Sequence, residues 1–282
     1  MKQDLDYLLE LMDDESDQTA CMAMAELLAR RGGVLDNKLR ELQETSNPRL
    51  RRRIHQLESA LRIRSRRRAL ADGFRNHSIP LLEGLIQLHL LWFDNDQRDA
   101  LIEDWEHFVS EFRKSASVSL ERIGFFMRRK GFACPARDNI EGEYFCLGTV
   151  LEEFLGADMI LAAITAAAAA SNRIRLGIVK IRSDFALTDE NGNLLFPADD
   201  WKYLPRPNRH FTCQFCDAGM VLKFAAASLF VAAAATDSFR YLYTIGNCLC
   251  PPSAGENDLL SSSLPYPYGS AEKPGRRRVP GA

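Results

Sequence analysis

The sequence has almost no net charge, because 36 Lys and Arg side chains face 38 Asp and Glu side chains and leave −2 at pH 7. A protein this close to neutrality has no overall field that would gather nucleic acid or an acidic membrane surface. Any contact with an anionic partner must therefore come from a local cluster. With 46% apolar and 26% charged residues, the chain is not wholly disordered or fibrous.

Long hydrophobic runs are also missing. The two longest apolar stretches, Met220–Ala235 and Ala162–Ala170, consist mainly of alanine, and Lys223 interrupts the longer one. Both are shorter than the roughly 20 residues that a membrane helix needs. We therefore expect two close-packed buried helices and no association with a membrane.

The start of the chain lacks the pattern of a secretory leader. Its first seventeen residues carry seven acidic side chains, where a signal peptide has a basic start and an apolar run. The seven cysteines would stay reduced as thiols in a reducing compartment. Together these features predict a cytoplasmic protein.

Helical periodicity dominates the first part of the chain. Residues 1–68 contain two similar halves about thirty residues apart, each a helix, a polar break and a second helix. Gly32-Gly33 ends the first pair, and the turn through Asn47-Pro48 lies within the second. Stacked helix pairs of this size are the unit of an α-solenoid, so we predict a helical-repeat (HEAT-like) region over residues 1–70.

The remainder predicts an α+β domain over residues 71–250 and a flexible tail over residues 251–282. Further helices occupy 79–112, and an alanine-rich helix, Met159–Ser171, should be central and buried because its small side chains allow close approach. A small antiparallel sheet follows it. The tail is rich in Ser, Pro and Gly, and has too little apolar surface to offset the entropy of ordering.

Local signals set several element ends in this domain. Gly131 and Gly156 are expected to end helices. Asp158 is well placed as the N-cap of the alanine-rich helix. Asn191-Gly192 is typical of a type I′ hairpin turn.

Three motifs occur in order within the domain: Phe125-Phe126-Met127-Arg128-Arg129-Lys130-Gly131-Phe132, Val150-Leu151-Glu152-Glu153-Phe154-Leu155-Gly156, and Ser183-Asp184-Phe185. In order and spacing they resemble the transglutaminase-like superfamily, and within it the bacterial SirB-type proteins. The resemblance covers about residues 5–200, including the helical-repeat region. It implies a papain-like domain whose central helix begins with a catalytic Cys, followed by a His on the next strand and an Asp that orients it.

This chain departs from that family at the positions that carry the chemistry. The start of the central helix offers Ile160 and Ala162, with no thiol or hydroxyl, and Asp184 stands at the histidine position. A thiol near its ordinary pKa is a poor nucleophile without a paired base. We therefore expect a pseudoenzyme that needs no cofactor and binds an unidentified protein partner, through its helical front or through a remnant cleft beside Asp158 and Asp184.

A second interpretation is a cysteine-dependent hydrolase or acyltransferase that uses an unrecognised thiol. Cys146 is the candidate, although sequence reasoning places no His within its reach. Beyond position 107 the one histidine is His210. We expect His89 and His107, on the helices over 79–112, to be hydrogen-bonded packing residues.

Nine arginines lie between Arg49 and Arg68, the strongest charge cluster in the chain. On a helix, Arg49, Arg52 and Arg53 lie away from the apolar Leu50 and Ile54. We interpret this face as solvated and balanced by the acidic N-terminal helix, since no aromatic side chains interleave with the arginines to stack on bases. The alternative is weak binding of nucleic acid through Arg49–Arg68, and we do not expect nucleic acid as the main partner.

Four cysteines form two pairs about thirty residues apart. They are Cys213, Cys216, Cys248 and Cys250. A C-x-x-C and a C-x-C pair could close a tetrahedral zinc site, but the second pair lacks the usual spacing. We expect buried free thiols and no metal, with zinc as the alternative and a redox pair as a third possibility.

Overall fold

The computed structural model describes residues 2–29, 33–76, 78–115, 119–136, 141–206, 212–236 and 238–250. The chain divides into two compact units, Met1–Arg66 and Arg67–Ala282. The predicted tail over residues 251–282 and His210 lie outside the described residues.

The first unit is built from helices. They are α1 (Lys2–Leu11), α2 (Asp17–Ala29), α3 (Gly33–Gln43) and the beginning of α4 (Pro48–Asn76). Met12, Leu27, Leu39, Ile54 and Leu57 are almost completely buried in its core. The helices follow one another in the order that the periodicity predicts, while their relation to HEAT-like repeats stays a prediction.

Arg53 corrects the expectation of a solvated arginine face. Its side chain is buried, and its guanidinium donates to the carbonyl oxygens of Met12 and Asp14, at 2.7 and 2.6 Å, and to the Asp17 carboxylate at 2.7 Å. The last carbonyls of a helix have no partner within that helix. Arg53 therefore satisfies the end of α1 and joins it to the start of α2.

The second unit combines helices with one sheet. Its helices are α5 (Leu81–Trp92), α6 (Arg98–Ser115), α7 (Leu120–Lys130), α8 (Leu147–Glu153), α9 (Asp158–Ser171), α10 (Ala218–Ala235) and α11 (Phe239–Leu249), with short 3-10 helices at Gly142–Phe145 and Pro197–Asp199. Its strands are β1 (Gly177–Ile181), β2 (Asp184–Thr188), β3 (Leu194–Phe196), β4 (Lys202–Leu204) and β5 (Gln214–Cys216).

The five strands form one antiparallel sheet in the order β4-β3-β2-β1-β5. Helix α9 packs against β2 and β1, and nine of its fourteen residues are buried. The prediction of a central alanine-rich helix followed by a small antiparallel sheet is confirmed, and so is the α+β class. Small side chains on α9 allow this close packing.

One of the expected element ends, Gly131, is confirmed, while the expectations for Gly156, for Asp158 as an N-cap and for the Asn191-Gly192 turn are wrong. Gly131 ends α7 with a φ of 92°, which is left-handed. Gly156 does not end α8; Phe154 takes the left-handed conformation instead, with a φ of 59°. A Cβ on Gly156 would lie 2.8 Å from the methyl groups of Val150, so this glycine permits close packing.

The hairpin between β2 and β3 exists, but its turn is not a two-residue type I′ turn. The five residues of the loop lie between Thr188 and Leu194. The carboxylate of Asp189 accepts from the backbone N–H of Asn191 and of Asn193, at 2.9 Å each, and Gly192 has a φ of 79°. The side chain of Asp189 therefore organises a wider turn.

Helix α10 is long and apolar enough, by length and composition, to cross a membrane, and half of it is buried within the folded chain. It contacts α5, α9 and α11. At Gly84 of α5, an added Cβ would lie 2.2 Å from a methyl group of Leu222, so the two helices approach closely there.

Candidate functional site

The start of α9 presents hydrocarbon where the resemblance implies a nucleophile. Ile160 and Ala162 lie in its first turns and are completely buried. Neither side chain carries an atom that could attack a carbonyl group. The structure thus places these residues at the beginning of the central helix, as the sequence predicts, and packs them into the core.

Asp158 is the first residue of α9 and not its N-cap, which is Ala157. One carboxylate oxygen accepts from the backbone N–H of Met159 and the other from that of Phe185, both at 2.7 Å. Phe185 is buried in β2. The carboxylate therefore joins the helix to the strand, and a negative charge in the first turn of a helix is favourable.

Asp184 begins β2 and is partly buried. It pairs with Ile181 across the β1–β2 turn, and its carboxylate accepts from the Ser183 hydroxyl at 3.1 Å. Asp158 binds the backbone N–H of Phe185, the residue that follows Asp184 in the strand, and the role of the two aspartates in binding stays a prediction.

Cys146 lies directly before α8 and is completely buried. Its thiol donates to the carbonyl oxygen of Gly142 at 3.4 Å. Burial, followed by the charges of Glu143 and Asp96, raises the pKa of this thiol well above its ordinary value. At neutral pH the group is a protonated thiol, which is the unreactive form.

Sequence reasoning missed an imidazole that contacts the backbone of Gly148, two residues after Cys146. His89, buried on α5, accepts through Nδ1 from the backbone N–H of Gly148 at 3.2 Å. Its Nε2 lies 2.9 Å from the Asp96 carboxylate. Gly148 allows this approach, since a Cβ there would lie 2.7 Å from Cε1 of His89. The expectation of a hydrogen-bonded packing histidine is confirmed for His89 and wrong for His107, which is exposed and lies 3.6 Å from Glu111.

The two hydrogen bonds fix the chemistry of His89. Since Nδ1 accepts a proton donor, the proton of the neutral ring is on Nε2, which donates to Asp96. Burial lowers the pKa of His89, and the hydrogen bond and charge of Asp96 oppose that change only in part. Both nitrogens are therefore occupied, and neither is left to accept the proton of the Cys146 thiol. The one sequence signal for the pair of His89 and Asp96 is the position of Asp96 in the polar break directly after α5.

The four cysteines of the alternative zinc site are not assembled. Cys213 is exposed, Cys216 lies on the edge strand β5, and Cys248 is buried on α11 with its thiol directed to the carbonyl of Thr244 at 3.4 Å. Burial raises the pKa of Cys248 to about 12. Among the described residues, no group of three or more His, Cys, Asp or Glu side chains could hold a metal ion.

A groove of about 650 Å³ lies along α5 and α6. Apolar side chains of Leu82, Ile86 and Trp105 line it, together with the ion pair of Glu83 and Arg98. Two parallel hydrogen bonds of 2.9 and 2.8 Å join that pair. Burial favours the protonated form of Glu83, but the hydrogen bonds from Arg98 and Gln87 outweigh it and lower the pKa.

The chain matches no protein-family model, no curated protein and no solved structure.

Proposed function

We propose that this chain is a non-catalytic transglutaminase-like protein of the SirB type, with a HEAT-like helical-repeat region, that acts by binding a protein partner. The proposal includes a cytoplasmic location and no cofactor. The observation that carries it is the buried hydrocarbon of Ile160 and Ala162 at the start of α9.

The arrangement of α9 and the sheet supports the family part of the proposal. An antiparallel pair of strands follows the central helix, and the start of the second strand lies against the start of that helix through Asp158 and Phe185. In the family this is where the thiol and the imidazole would meet. Here the position holds a carboxylate that is used in backbone hydrogen bonds.

The environment of Cys146 argues against the cysteine-dependent hydrolase. A nucleophilic thiol needs solvent or substrate access, a lowered pKa and a base that can take its proton. Cys146 is completely buried, its pKa is raised, and the nitrogens of His89 are bound to Gly148 and Asp96.

The groove along α5 and α6 supports a binding role. It is large enough for several side chains, and it combines apolar walls with a charged pair that a partner's polar groups can meet. The groove supports the helical front over the remnant cleft beside Asp158 and Asp184, the other binding surface that the sequence left open.

The experiment is a turnover assay on the purified full chain, with hydrolysis of 4-nitrophenyl acetate and incorporation of an amine into a glutamine-containing protein as readouts. We expect the wild type and Cys146→Ala to give the same background rates in both assays. A rate that is lost in Cys146→Ala, with the circular dichroism spectrum unchanged, would contradict the proposal. Cys213→Ala is the matched control, because that thiol is exposed and reacts without any catalytic environment.

A further inference from the structure

One face of α4 carries a row of basic and polar side chains, which we name the basic stripe: Arg51, Arg52, His55, Ser59 and Arg62. Residues spaced by three, four and seven share one face of a helix. The opposite face, with Ile54 and Leu57, is buried in the core of the first unit. The stripe therefore faces outward from that unit, and Arg52 and Arg62 are exposed.

Acidic side chains pair with only some of the arginines on this helix. Arg53 pairs with Asp17 at 2.7 Å, and Arg49 lies 4.0 Å from Glu15. The hydrogen bond from Arg53 is the main cause that lowers the pKa of Asp17, and the positive charge of Arg52 lowers it further.

Within the stripe, His55 lies 3.7 Å from Glu58. Arg51 donates to the carbonyl oxygen of Thr45, and no carboxylate within the described residues forms an ion pair with it. In the part of the chain that the structure describes, neither Arg52 nor Arg62 has a hydrogen bond or ion pair with a carboxylate.

The geometry points to an extended anion with regularly spaced charges. Arg52 and Arg62 are ten residues apart, which is about 15 Å along a helix. A shallow depression of about 550 Å³ beside the stripe is lined by Arg51, Arg52, His55 and Ser59, among others. We propose that the basic stripe binds the phosphate backbone of a duplex nucleic acid without reading its bases.

Two features favour a duplex over other anionic partners. No aromatic side chain lies within the stripe, and single strands are bound largely by stacking of bases on aromatic rings. An amphipathic helix that lies in a membrane interface places its apolar face in the lipid. The apolar face of α4 is instead occupied by the core of the first unit.

The test measures fluorescence anisotropy of a fluorescein-labelled DNA duplex of about 20 base pairs, titrated with the full chain from about 50 to about 200 mM salt. Three phosphate contacts, from Arg51, Arg52 and Arg62, predict a slope of about −2.7 for log K against log salt. The variant Arg52→Ala/Arg62→Ala should bind at least about tenfold more weakly and show a slope near −0.9.

The matched control is Arg64→Ala/Arg129→Ala, which removes the same charge. Arg64 lies on the other side of α4, and Arg129 is on α7. The control should change the affinity less than about twofold and keep the slope of the wild type. Circular dichroism verifies that both variants fold.

Three results would overturn the proposal. The first is no binding of the duplex by the wild type up to about 100 µM protein at about 50 mM salt. The second is an equal loss of affinity in the control variant. The third is binding to phosphatidylserine vesicles, with loss in Arg52→Ala/Arg62→Ala, while the duplex is not bound.

Discussion

The carboxylate of Asp158 offers a quantitative test of how this protein uses the position next to the implied catalytic site. In Asp158→Ala, the buried N–H of Phe185 loses its 2.7 Å acceptor. A hydrogen bond to a charged group contributes about 1.5–3 kcal/mol. The charge in the first turn of α9 adds about 0.3–1 kcal/mol. Since Asp158 is only partly buried, we expect a loss of about 2–3 kcal/mol in the free energy of unfolding.

The assay is urea unfolding monitored by tryptophan fluorescence. This signal reports on the second unit, because that unit contains Trp92, Trp105 and Trp201. With a slope near 2 kcal/mol per molar urea, the midpoint of Asp158→Ala should fall by about 1 M. Asp158→Asn keeps one acceptor oxygen for the N–H of Phe185 but loses the charge and the second acceptor, which binds Met159, so it should cost less than Asp158→Ala and more than zero.

The control for this prediction is Asp199→Ala. Asp199 makes an exposed ion pair with Lys202 at 2.9 Å, and such pairs contribute about 0–1 kcal/mol. If Asp158→Ala were as stable as the wild type, the carboxylate would not be holding the helix to the strand. The reasoning that assigns it to structure, and not to ligand binding, would then be refuted.

Two further predictions concern other buried polar groups. Arg53→Met should lower the free energy of unfolding of the first unit by about 3 kcal/mol, because it leaves the carbonyls of Met12 and Asp14 without their donor. Amide hydrogen exchange in α1 and α2 should then accelerate about 100-fold. Unchanged exchange, or an equal acceleration in the exposed Arg52→Ala, would contradict this prediction. Because the pKa of His89 is lowered below 6.5, the unfolded chain binds the proton more readily, so the second unit should lose stability as pH falls from about 7.5 to about 5.5. Urea unfolding at each pH measures this, and a dependence that persists unchanged in His89→Gln would count against it.

Local signals made the order of the elements predictable. The alanine composition of α9, the glycine that ends α7 and the polar loop between β2 and β3 each act over a few residues of chain. The sequence therefore identified a central small-residue helix followed by an antiparallel sheet. The expectation of a cleft beside Asp158 and Asp184 came from the family resemblance and not from local signals.

Contacts between distant residues were not predictable in the same way. Arg53 is 41 residues from Met12, and periodicity alone placed it on a solvated face. His89 and Gly148 are 59 residues apart, so no spacing rule linked the imidazole to the neighbourhood of Cys146. In both cases the determining factor is which backbone groups lack a partner after packing, and that depends on the tertiary fold.

The most direct test of the proposal that this protein is non-catalytic is the reactivity of Cys146. The native chain is treated with iodoacetamide at neutral pH, and the alkylation rate of each cysteine is followed by peptide mass spectrometry, with the exposed Cys21 and Cys213 as references. We expect Cys146 to react at least about 1000-fold more slowly than Cys213, because alkylation of the buried thiol requires local unfolding. A rate for Cys146 equal to or above that of Cys213, reduced in a folded His89→Ala variant, would contradict it.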